Sequence, residues 1–177
     1  MRKWRPMRTS RFRAVALLVV PALMSCRAAT EVGVTGDDLI FLDAETLAEG
    51  GIAAAHAELL AEIRAHAPGA EPIEERLDAA AGRYAVSSDG REYVIYAPGG
   101  ETEPGESWAR ATHALFEIVN EQLAASQVRF YAINGGNDLA GRFLAPEEAE
   151  RLRSTTDHRA HWPYAPTLEP PWYGMYH

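Results

Sequence analysis

SWARATHALFEIVNEQLAASQVRFYAINGGND, residues 107–138, decides the fold. Trp108, Ala111, Leu115, Ile118, Val119 and Gln122 recur at the three- and four-residue spacing of an amphipathic helix, with Leu123 beside them. Ser107 is a suitable N-cap, because its hydroxyl can accept from a backbone N–H that the first turn leaves free. The spacing predicts a helix over 107–125. At Gln127 the period changes: QVRFYAI, residues 127–133, alternates and is rich in β-formers, the pattern of a strand. That strand runs into Asn134, Gly135, Gly136, Asn137 and Asp138, residues that favour a tight loop.

Working outward, Arg83 to Ser87 and Glu92 to Tyr96 are two short β patterns. The turn signal Ser88-Asp89-Gly90 joins them as an antiparallel hairpin. Residues 71–77 are a weaker strand, and DLIFL at 38–42 is a continuous apolar run that suits a buried one. Between them Ile52, Ala55, Leu59, Leu60 and Ile63 mark a helix that Gly50-Gly51 interrupts near its start and Pro68-Gly69 ends. Residues 98–105 are an acidic Gly/Pro loop. Downstream, residues 139–144 suit a short strand or turn, and Pro146 with Glu147-Glu148 opens a short helix to about residue 153. From Thr155 the chain is rich in Pro, Trp, Tyr and His and is expected to wrap as irregular coil. The order implies a single α+β domain over residues 38–177, a largely antiparallel sheet with two main helices on one face. A split β-α-β layout like ferredoxin-like folds is one option. No internal repeat is visible.

The N-terminus has a different character. Arg2, Lys3, Arg5, Arg8, Arg11 and Arg13 precede an apolar run, residues 14–24, with no acid among them. The run is too short to cross a bilayer, which takes ~20 residues. A cationic segment followed by such a run is an export signal. It ends in Leu23-Met24-Ser25-Cys26, which resembles the lipobox of bacterial lipoproteins. The resemblance implies cleavage between Ser25 and Cys26, a lipid on the Cys26 thiol, and a lipidated tether over residues 26–37. Met24 is larger than is usual at its position. Arg27 in place of aspartate implies the periplasmic side of the outer membrane. The alternative is an ordinary secretory signal cut near Ala28 or Ala29. Cys26 is the single cysteine, so no internal disulfide framework is available.

Loss of the six leader cations takes the formal charge from −8 to −14, with 11 arginines against 25 acids. Such a domain repels phosphate backbones, so nucleic acid is not an expected partner, whereas a basic protein is. No cofactor motif is present. The six histidines show no zinc pattern, and His158 and His161 lie three apart without further ligands. His113 falls mid-helix near the apolar stripe and reads as a satisfied, partly buried histidine. No nucleophile elbow is present, and the catalytic residues are unassigned.

Two segments remain as candidate sites. One is the loop Asn134, Gly135, Gly136, Asn137 and Asp138, either a strand-end site or a structural turn. The other is the set of tail aromatics Trp162, Tyr164, Trp172 and Tyr173, either a rigid binding surface or pins for the tail. Small size, acidity and an envelope address resemble lipoprotein immunity proteins. That resemblance implies a non-catalytic module that neutralises a basic antibacterial toxin by charge-steered association. The alternative is a small envelope hydrolase using the loop with a histidine or Glu92.

Overall fold

The computed structural model describes residues 39–100 and 105–169, all within one compact unit spanning residues 34–177. The elements run β1 (Ile40–Phe41), α1 (Ala44–Thr46), α2 (Ile52–His66), β2 (Glu74–Asp78), β3 (Arg83–Ser88), β4 (Arg91–Tyr96), α3 (Glu106–Gln122), β5 (Arg129–Ile133), β6 (Ala140–Leu144) and α4 (Pro146–Thr155). The class is α+β and every strand ladder is antiparallel.

The strands sort into two three-stranded sheets, in the orders β1-β6-β5 and β2-β3-β4, where the sequence suggested a single sheet. The cause is α3. It packs against β4 of one sheet and β5 of the other, so one helix serves both. Its composition permits this: Ala111, Thr112, Ala114, Leu115, Phe116, Ile118 and Val119 are all buried, covering much more of its circumference than a single stripe. The ferredoxin-like option is excluded, because β1 pairs with β6 and not within a common four-stranded sheet.

Several boundaries move for local reasons. Gly105, in the left-handed region at φ 82, is the N-cap of α3, and Ser107 is already inside the helix. The helix stops at Gln122 because Arg129 reaches back to its end, donating to the carbonyls of Leu123, Ala124 and Ser126 at 2.9, 3.2 and 3.0 Å. β3 extends to Ser88, so the hairpin turn is the two residues Asp89 (φ 48) and Gly90 (φ 78). Both lie in the left-handed region, the backbone that matches strand twist in two-residue hairpins. β1 is only two residues long. Between α1 and α2 the chain kinks at Gly50, whose φ of 104 a side chain would strain.

Phe130 organises the sheet of β1, β6 and β5. Its ring stacks on Phe116 of α3, centroids 4.5 Å apart, and meets the tilted ring of Phe143 of β6 at 4.6 Å. As far as residue 169 the tail is largely irregular coil, as the sequence implies, pinned at two points. A turn at Arg159–His161 precedes Tyr164, which bridges to Ala132 on the outer edge of β5.

Candidate functional site

The 134–138 loop is held by hydrogen bonds at its start, where the tail meets it: the Asn134 N–H donates to Ala160 O at 2.9 Å, and the Tyr164 hydroxyl donates to Asn134 O at 2.7 Å. Paired bonds of 2.8 and 2.9 Å between Ala132 and Tyr164 fix the register of that contact. Just past its other end, Leu42, which follows β1, donates its N–H to Leu139 O at 2.8 Å. Within it the Asp138 N–H turns back to Gly135 O at 3.2 Å. Asn134 adopts φ 58 and Gly136 φ 60, whereas Gly135 is extended and buried. The Asn134 backbone is thus tied to the tail, and the side chains of Asn137 and Asp138 face solvent. The cavity beside α3, the one along α4 and the one at the β3–β4 turn do not reach this loop.

Two of the four tail aromatics act as pins. Tyr164 is buried, which pushes its phenol pKa up. The Trp162 indole N–H donates to Thr156 O at 2.8 Å. Arg153 adds a bond from Nε to Pro163 O at 2.6 Å. Trp172 and Tyr173 lie outside the described residues, as do Ser25 and Cys26.

A cluster that the sequence did not single out joins β4 to α3. Arg91 Nη1 lies 2.7 Å from Glu117 Oε1 and 2.6 Å from Glu121 Oε1, and its guanidinium sits 4.6 Å over the Tyr93 ring. The Tyr93 hydroxyl donates to Glu121 Oε2 at 2.7 Å, and His113 Nε2 lies 3.0 Å from Glu117 Oε2. His113, Glu117 and Glu121 repeat every four residues on one face of α3, which is the only part of this arrangement visible in sequence. Burial lowers the His113 pKa, opposed by Glu117 and reinforced by Arg91. Burial and Glu121 raise that of Tyr93. A cavity of about 190 Å³ opens beside the cluster, walled by Val94, Ile95, Ala114, Arg110 and Leu168. Its cations already have partners: Arg91 as above, and Arg110 with Glu106 and the carbonyls of Ile95 and Gly100.

His56, fully within the core, bonds the Gln122 side chain through Nε2 at 3.0 Å, and Gln122 donates in turn to Glu71 O. Burial holds its pKa below the ordinary 6.5. The unfolded chain therefore binds a proton that the fold refuses. The stability contributed by neutral His56 is complete above 6.5 and is lost as pH falls below it toward the folded value. Melting temperature should drop as pH falls below 6.5, and His56→Gln should flatten that dependence. An equally steep profile in the variant would assign the effect elsewhere.

The charge accounting is one-sided. Arg76, Arg83, Arg91, Arg110, Arg151 and Arg153 are paired with carboxylates. Arg64 and Arg129 donate to backbone carbonyls. Glu45, Glu49, Glu58, Glu71, Asp138, Glu147 and Asp157 are exposed and make no ion pair among the described residues. Among these residues there is no group of three His, Cys, Asp or Glu able to hold a metal, and no helix long and apolar enough to cross a membrane. Comparisons of the chain with family models, curated proteins and solved structures return no match.

Proposed function

We propose that this is a lipid-anchored envelope protein, held by Cys26 on the periplasmic side of the outer membrane, that acts as a non-catalytic binding module for a basic protein. An immunity-type inhibitor of a basic antibacterial toxin is the specific form of that reading. The observation that carries it is the charge accounting. Eight of the described arginines are engaged by carboxylates and carbonyls of the same domain, which leaves exposed acids without ion pairs among the described residues. Fixed surface charge of one sign accelerates encounter with the opposite sign and disfavours like-charged partners. The ties that hold the Asn134 backbone to the tail favour binding over chemistry at that loop.

Two measurements test it. In cells fed a clickable palmitate, the wild-type chain should be labelled, and Cys26→Ala should be unlabelled and fail to reach the outer membrane. Equal labelling of both would remove the anchor. Detergent-purified full-length protein should retain a basic protein from envelope extract at low salt and release it at high salt. Retention of acidic or neutral proteins alone, or binding indifferent to salt, would overturn the partner assignment.

A further inference from the structure

We propose that the corner formed by Phe41 of β1 and the Gly136–Asp138 turn is the surface that grips the basic protein, with Phe41 inserted into an apolar pocket of that partner; this rests on the binding-module reading above. Phe41 is 80% exposed, far more than the other exposed large apolar residues, Leu77, Val94 and Leu168. Those three lean on the fold. Leu77 packs over Gly50, while Val94 and Leu168 wall the small cavity beside α3. Phe41 has no such role. Strand alternation turns Ile40 to the core, where it packs, and Phe41 to the opposite face, beside its cross-strand partner Ala140. β1 is an edge strand whose only ladder partner among the described residues is β6.

Two exposed acids lie close to that ring along the chain, and the cation on its face of β6, Arg142, is buried. Asp138 lies two residues before Ala140, and its turn packs against α1, whose first turn carries Glu45. Both carboxylates are exposed and without ion pairs among the described residues. A single exposed apolar side chain is ordinary on a soluble protein. A protruding aromatic bordered by unneutralised charge has the anatomy of a binding hot spot, an apolar anchor with a polar rim.

The same charges choose the occupant. A second copy would bring like charge to like charge, and a ladder two residues long gives little template for strand pairing between copies. Anionic headgroups would be repelled as well. A basic protein is complementary. The turn singled out in sequence thereby acquires a part in binding through its outward side chains, while its glycines serve the backbone.

The test places a photoreactive benzophenone side chain at position 41 of the full-length lipoprotein in its own envelope, with positions 58 and 147 as references. Irradiation should give at position 41 one protein adduct, identified by mass spectrometry, whose own sequence is strongly basic. Its yield should fall roughly tenfold with Glu45→Arg and Asp138→Arg together and hold with Glu58→Arg. Circular dichroism melts of the charge variants should match wild type. A basic adduct at position 58 or 147 alone would overturn this surface and leave the binding reading standing. A lipid adduct at 41 would make the corner a membrane contact and overturn the proposal. No basic adduct at any position would overturn both.

Discussion

Gly141→Ala is expected to destabilise the domain by about 3 kcal/mol, against the gain of about 0.5–1 kcal/mol that removing a glycine gives where space allows. Its backbone needs no special conformation; the constraint is contact. A β-carbon at Gly141 would overlap the far end of the Phe130 ring, meeting Cζ, Cε2 and Cε1, the last of these at 2.8 Å. The ring has nowhere to go, since Phe116 and Phe143 pack against it at 4.5 and 4.6 Å and it is fully buried. Gly141 also pairs with Ala132 of β5 and Ile40 of β1, so any backbone shift that relieves the overlap disturbs all three strands. Phe130→Leu in the same chain should recover at least about 1 kcal/mol relative to the sum of the two single costs, because the smaller side chain vacates the contact. Urea denaturation measures all three variants. Strict additivity would show that the ring is not what the new methyl meets.

The sequence discloses what is local in this fold. α3 and β5 are legible because a helical spacing of apolar residues gives way to alternation at one point, and the 88–90 turn forces its hairpin. The sorting into two sheets is not legible, because β1 finds its partner at Gly141, a hundred positions away, and no period connects them. The candidate loop shows the same limit. Asn134, Gly135, Gly136, Asn137 and Asp138 were open to two readings, and the tail residues Ala160 and Tyr164 decide the role of the backbone. Of the Arg91 cluster, only the acids and histidine on α3 have a spacing to notice; Arg91 and Tyr93 come from β4 by packing. Phe41 sits in an apolar run that suits a buried strand, and only the two-residue ladder at the sheet edge turns one of its side chains outward.

Glu75→Ala should cost about 2–4 kcal/mol, although Glu75 lies on an edge strand and makes no ion pair with an arginine. Its carboxylate substitutes for a missing cap. α2 begins after Gly51, which has no side chain to accept from the free N–H groups of the first turn. Glu75 Oε1 accepts instead from the N–H groups of Ile52 and Ala53 at 3.1 and 3.3 Å, and from the hydroxyl of Tyr84. The chain thus supplies its own anion to the positive end of the helix. Tyr84 is fully buried, so truncating Glu75 strands its hydroxyl and the Ala53 amide, while the Ile52 N–H keeps the Tyr84 oxygen at 3.4 Å; an unmatched buried donor costs about 1–3 kcal/mol. Glu75→Gln keeps an acceptor and loses the charge, so it should cost only about 1 kcal/mol. Tyr84→Phe should recover part of the Glu75→Ala loss, since the stranded hydroxyl goes with it. If alanine and glutamine cost the same, the charge on Glu75 accounts for the whole effect; if neither costs anything, water replaces the carboxylate at the helix end and the cap is dispensable.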